Sequence, residues 1–219
     1  MERIRRFFRK LGKGLKNKGY TLVEVAAVVA VTAGLTAVVV PVAVEKAKDS
    51  KLAGAKLDCI KIAEAITGFY KDTGEWPAYD TKGPKAYSIL ISGNDTAHNP
   101  DKISDKWGAG RVDFLENHLV VDNPGGILGQ KNNYYLTIHK LQWKGPYAET
   151  LTKRDPWGNN YLVYVMAMWN PTTGSETGGK EYGWIISAGP NGVLDTVKTD
   201  SALQGDDIGV MLYAAEKGR

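Results

Sequence analysis

The sequence predicts an α+β chain: a long N-terminal helix, apolar through its first half, packed on a small antiparallel β-sheet with a long C-terminal loop. Three observations predict it. Val25–Val44 carries no charged side chain, and at ~1.5 Å per residue a helix of that length spans ~30 Å, the thickness of a bilayer's hydrocarbon layer. An apolar stripe at helical spacing continues toward residue 70. Short β-branched and aromatic runs, set off by Gly, Pro and Asn turns, occupy the last third of the chain.

Composition narrows the classes. Of 219 residues, 43% are hydrophobic and 24% charged, which excludes a disordered or fibrous-repeat chain. The net charge of +4 is unevenly spread. Residues 1–19 hold eight basic side chains against Glu2 alone, giving +7, so the remaining 20 basic and 23 acidic residues carry −3. The body therefore offers no electrostatic case for nucleic acid, and the basic block reads as a topogenic signal that keeps the N-terminus in the cytoplasm. One cysteine, Cys59, excludes an intrachain disulfide framework and a cysteine-rich zinc site.

The elements follow in order. After the basic block comes Lys18-Gly19-Tyr20-Thr21-Leu22-Val23-Glu24, then the uncharged run. In lipid a lone span must be helical, because only a helix satisfies its own backbone. Pro41 removes one donor near the end of the span, and a kink or local unwinding is expected there. Ala26, Ala30 and Gly34 leave a shallow strip for a neighbouring helix. Glu24, at the mouth of the span, is costly in lipid and calls for a partner; otherwise it snorkels into water.

Residues 45–72 predict an amphipathic continuation, giving a helix of roughly 75 Å. Its apolar side holds Leu52, Ala55, Cys59, Ile62, Ala63, Ile66, Phe69 and Tyr70; its polar side holds Lys51, Lys56, Asp58, Lys61 and Glu64. Gly74 and Pro77 end it. Residues 73–154 are loop-rich, with short helices expected over 86–91 and 111–121 and extended pieces over 132–140 and 142–147. Asp155-Pro156-Trp157-Gly158-Asn159-Asn160 predicts a turn, Tyr161–Trp169 a strand, 170–180 a loop, and Glu181–Ser187 a second strand pairing with the first.

The segment Lys18–Glu24 resembles the class III signal of type IV pilins and type II secretion pseudopilins. The resemblance implies a leader, residues 1–19, that a prepilin peptidase removes between Gly19 and Tyr20, followed by N-methylation of Tyr20, which stands where the family usually has Phe. It makes residues 20–44 a transmembrane and later filament-core helix, with Glu24 and Pro41 at the family's assembly positions. Physically, cleavage creates a positive amine at Tyr20, which can pair with Glu24 of a neighbouring copy and fix the axial stagger.

A second resemblance lies in residues 155–219. Asp155-Pro156-Trp157-Gly158-Asn159, then Ser187-Ala188-Gly189-Pro190-Asn191-Gly192, then Asp206-Asp207-Ile208, looks like the major pseudopilin of type II secretion. It implies a Ca²⁺ site formed by the carbonyls of Ala188 and Gln204 and the side chains of Asn191, Asp206 and Asp207, with Asp195 and Asp200 as substitutes for the acid that Asn191 replaces. Ca²⁺ takes six to eight oxygens, which carboxylates and carbonyls supply.

Catalytic patterns are missing. His98, His118 and His139 lack metal or triad spacing and are expected on the surface or in loops. The six tryptophans are expected to cover a thin sheet rather than to stack a ligand. The chain is thus expected to be no enzyme. It is expected to be a structural subunit of a homopolymeric filament, single-pass in the inner membrane before assembly and periplasmic or extracellular afterwards. Implied partners are the prepilin peptidase, an inner-membrane assembly platform and minor pseudopilins. A type II secretion pseudopilus is favoured; a type IV pilus serving adhesion, motility or DNA uptake, and a membrane-anchored calcium-dependent binding module, are the alternatives.

Overall fold

A computed structural model describes residues 19–80, 87–108, 110–127, 130–131, 134–137, 142–169 and 180–214. Residues 1–18 of the expected leader, His139 and residues 170–179 of the loop expected over 170–180 lie outside the described residues, as do parts of the two pieces expected over 86–91 and 132–140. The chain divides into two units, Met1–Lys48 and Asp49–Arg219, and one helix, α1 (Leu22–Thr73), belongs to both.

In the first unit every described residue is exposed, and α1 here is long and apolar enough to cross a membrane by length and composition. The two threonines of its uncharged run are turned back on the backbone. Thr32 donates its hydroxyl to the Val28 carbonyl and Thr36 donates to Thr32, both at 2.7 Å. Hydroxyls bonded to the i−4 carbonyl need no water, which suits an apolar surrounding. The helix is unbroken across Pro41, so the expected unwinding is not found. The missing donor costs one hydrogen bond, and the turns on either side keep their geometry.

In the second unit α1 is amphipathic. Ala55, Cys59, Ile62, Ile66 and Phe69 recur at alternating spacings of four and three, and all are buried, with Ala65 beside them. Leu52 and Tyr70, expected on this stripe, are 39% and 40% exposed, so the buried face is narrower than the sequence suggests. Gly74 ends the helix at φ +71°, donating to the Tyr70 carbonyl at 2.8 Å.

The sheet is built from β1 (Ile89–Ile91), β2 (Val112–Phe114), β3 (Leu162–Tyr164), β4 (Tyr182–Ser187) and β5 (Ile208–Ala214), in the order β2-β1-β3-β4-β5. It is mixed, not purely antiparallel: β1 and β2 run parallel, with Leu90 opposite Asp113, and the other pairs are antiparallel. A parallel neighbour needs a long crossover, and the chain from 92 to 111, containing α2 (Ile103–Trp107), provides it.

Both faces of the sheet are covered. Leu90, Val163 and Ile185 face the α1 stripe, together with Leu115 and Leu119 of α3 (Leu115–Leu119). Ile89, Ile91, Leu162, Tyr164, Trp184 and Ile186 face away, under Trp107, Ala167 and Leu194. Trp107, Trp143 and Trp184 are buried, and Trp76, Trp157 and Trp169 pack on the core, which is the covering role expected of them.

Several local expectations are corrected. Residues 89–91 are a strand, because Ile-Leu-Ile pairs on both sides. The 111–121 segment begins as β2 before α3. Tyr134–Thr137 is one helical turn, α4, rather than extended. The strand expected over 161–169 stops at Tyr164: the Ser88 carbonyl accepts both the Val165 and Met166 N–H groups, ending the ladder, and α5 (Met166–Trp169) follows. Strand β5 was not expected at all.

Candidate functional site

Two groups of residues carry functional expectations, one in each unit. At the head of α1, Gly19 and Tyr20 lie outside the helix and are exposed, Tyr20 by 86%. Thr21 is the N-cap. Its hydroxyl accepts the Glu24 N–H at 3.2 Å, while Glu24 Oε2 accepts the Thr21 N–H at 2.9 Å and the Thr21 hydroxyl at 3.0 Å. This reciprocal pair is a capping box, satisfying two of the donors that a helix start leaves bare. Glu24 therefore has a partner within its own chain, which sequence reasoning missed although Thr-x-x-Glu was legible. Pro41 lies exposed in the interior of the helix, far along the sequence from this cap.

The second group is the loop from Ala188 to Asp207. Strand β4 delivers it, and β5 closes it. Asp207 is 7% exposed; its Oδ2 accepts the N–H groups of Asp195 at 3.0 Å and Thr196 at 2.6 Å. Asp206 Oδ2 accepts the Asn191 N–H at 2.9 Å. The other oxygen of each, Asp206 Oδ1 and Asp207 Oδ1, is buried without a hydrogen-bond partner. Burial pushes the Asp207 carboxyl up, and the nearby Asp195 charge adds to the push against the Thr196 and Asp195 hydrogen bonds.

The remaining expected donors are partly engaged. Asn191 Oδ1 accepts the Val193 N–H at 2.6 Å, and its Nδ2 donates to Asp195 at 3.3 Å. The Gln204 carbonyl accepts the Asp207 N–H at 3.2 Å, and Ala188 is fully buried. Asp200 accepts the Val197 N–H at 2.8 Å, a local turn contact. Among the described residues, no three His, Cys, Asp or Glu residues gather as a metal-holding group. The chemistry of the set still suits a hard cation: all donors are oxygens, and two anionic ones are buried and unengaged.

The loop is also stitched to the body. Trp107 Nε1 donates to the Thr196 carbonyl at 3.1 Å, Lys106 Nζ to the Asp195 carbonyl at 3.1 Å, and Trp184 Nε1 to the Asp200 carbonyl at 3.0 Å. Asp101 forms a parallel bridge with Val193. The turn at Asp155 joins it from the other side. Asp155 Oδ1 accepts the N–H groups of Trp157 at 3.0 Å and Asn159 at 2.8 Å, and its Oδ2 accepts the Ser187 hydroxyl at 2.7 Å. The two sequence motifs of the C-terminal third thus meet in space.

A third cluster was not foreseen. His118 is fully buried, contrary to its expected surface place. Its Nδ1 lies 2.6 Å from the Tyr135 hydroxyl and its Nε2 lies 2.9 Å from Asp113 Oδ2. Asn117 and the Gly125 N–H also donate to Asp113, at 2.9 and 2.8 Å. Full burial makes this a core polar network. His98 does lie at the surface, paired with Asp95 at 2.7 Å. No family model, no curated protein and no solved structure matches the chain.

Proposed function

We propose that this chain is a prepilin-like subunit of a helical filament, held in the inner membrane before assembly and most like the major subunit of a type II secretion pseudopilus. The observation that carries the reading is the head of α1. The bond expected to be cut, Gly19–Tyr20, lies in exposed non-helical chain, two residues before the start of α1, whose capped first turn leads into the uncharged run Val25–Val44. A peptidase needs an accessible bond outside a helix, and the exposed apolar surface behind it needs lipid or other copies of itself.

After cleavage, the Tyr20 amine is a cation beside an apolar surface. Pairing it with Glu24 of an adjacent copy neutralises both and sets the stagger between helices. Growth of such a filament pushes exported proteins outward; in the alternative reading the filament is a type IV pilus. The secretion reading is supported by the union of the Asp155 turn with the C-terminal loop, where Asp206 and Asp207, the carbonyls of Ala188 and Gln204, and Asn191 would hold Ca²⁺. The ion would supply the positive charge that the unengaged oxygens of the two carboxylates lack. The deciding experiment is the mass of the mature N-terminus: methylated Tyr20 is expected, and a functional chain retaining Met1–Gly19 overturns the proposal.

A further inference from the structure

Ser187 closes strand β4 and is fully buried. Its hydroxyl donates to Asp155 Oδ2 at 2.7 Å and accepts the Gly189 N–H at 3.1 Å. A hydroxyl that donates to a carboxylate becomes a better acceptor, so the two bonds reinforce each other. Asp155 is itself fixed, because its other oxygen caps the 155–159 turn through two N–H groups.

The line continues past Ser187. Gly189 adopts φ +66° and stands so close to the Asp206 backbone that a Cβ there would collide with the Asp206 carbonyl oxygen. Two residues on, the Asn191 N–H holds Asp206 Oδ2 at 2.9 Å. Gly192 backs onto the Asn159 side chain, from the same turn that Asp155 caps. The turn 188–192 is therefore braced on one side by Asp155 and presents a backbone donor to Asp206 on the other.

We propose that Ser187, oriented by Asp155, is a positioning residue for cation capture by the C-terminal loop. It touches no cation. It sets the turn that holds the Asp206 carboxylate through the Asn191 N–H and that carries the Ala188 carbonyl, one residue after Ser187. The proposal rests on the calcium reading above and adds to it the residue that organises the loop. Groups that orient metal ligands in this way typically carry roughly tenfold to 100-fold of the affinity.

The test is calcium titration of the full chain in detergent by calorimetry, at a temperature well below its unfolding. Ser187→Ala is expected to weaken binding at least tenfold, and Ser187→Thr, which keeps the hydroxyl, to restore most of it. Ser92→Ala is the control: Ser92 also has a buried hydroxyl with two backbone partners, Lys153 O at 2.9 Å and Tyr161 N at 2.8 Å, but none in the loop. It should leave affinity within twofold. Should Ser187→Ala fail to fold, Asp155→Asn removes the acceptor of the hydroxyl while keeping an oxygen for the turn, and is expected to weaken binding likewise. Wild-type affinity in the folded Ser187 or Asp155 variant, or an equal loss in Ser92→Ala, overturns the role. A wild-type chain that binds no calcium instead removes the calcium reading, and this role with it, before any variant is made.

Discussion

Thr21 and Glu24 hold each other at the start of α1, each side chain accepting the other's backbone N–H, at 3.2 and 2.9 Å. A carboxylate at the mouth of an apolar span thus has a reason to exist within one chain. The proposed contact with a neighbour's amine competes with this cap or adds to it through the carboxylate's second oxygen.

The two roles separate by mutation. Thr21→Ala removes the hydroxyl cap, at a cost of about 1 kcal/mol to the helix start, and leaves the acid charged, still accepting the backbone N–H of residue 21. Glu24→Gln keeps an oxygen for the Thr21 N–H and removes the charge. If Glu24 meets an amine on another copy, filament yield in electron micrographs falls steeply in Glu24→Gln and little in Thr21→Ala. Equal losses in both would reduce Glu24 to a cap.

Calcium should stabilise the full chain in detergent. At a free concentration 100 times Kd, binding to the folded state alone contributes about 2.7 kcal/mol, which raises Tm by roughly 5–10 °C for a body of this size. Asp206→Ala and Asp207→Ala should each lose the shift. Burial raises the Asp207 carboxyl above its ordinary value, so the folded chain binds the proton more tightly than the unfolded chain does. Without calcium, this group's contribution falls as pH rises from the ordinary carboxylate range through the raised value. The calcium shift should grow over the same interval. Equal melting curves with and without millimolar calcium would remove the ion from the account.

Legibility differed by element. The span and its amphipathic extension were readable because periodicity over many residues averages out local exceptions. Leu52 and Tyr70 show the limit: spacing places them on the stripe, but both stay partly exposed, and Tyr70 stacks on Trp76 instead. Ile89-Leu90-Ile91 is too short for periodicity, and with both faces buried it has no alternation to read. Val165–Trp169 looks like strand by composition, and only the Ser88 carbonyl, distant in sequence, ends the ladder. Strand β5 contains Gly209 and follows a loop motif, which hid it. The burial of His118 depends on Asp113 and Tyr135, and sequence spacing does not announce such a meeting.

The corrected stripe makes its own prediction. Phe69 is fully buried and meets Tyr135 edge-on at 4.9 Å and Tyr147 at 5.6 Å. Phe69→Ala should cost about 3–5 kcal/mol of stability, whereas Leu52→Ala should stay within about 0.5 kcal/mol of wild type. Urea midpoints of the two variants check this. A Leu52 effect as large as that of Phe69 would mean the buried face extends a further turn toward the N-terminus.

The Asp113–His118 contact should govern stability in acid. Burial alone would raise the Asp113 carboxyl, but the His118 ring and the N–H groups of Gly125 and Phe114 outweigh it and hold the carboxyl below its ordinary value. The folded chain then binds this proton less readily than the unfolded chain, so the contribution is fully present above about pH 4, the ordinary carboxylate value, and is lost as pH falls below it. Asp113→Asn should flatten the decline of stability below pH 4. Asp113→Ala leaves the Asn117 amide and the Gly125 N–H without their acceptor and should cost about 1–3 kcal/mol at neutral pH. Urea unfolding followed by tryptophan fluorescence from pH 2.5 to 7 reads both effects, since Trp143 donates to the His118 carbonyl at 3.3 Å and senses this part of the core. An Asp113→Asn profile parallel to wild type in acid would assign the acid sensitivity to other carboxylates.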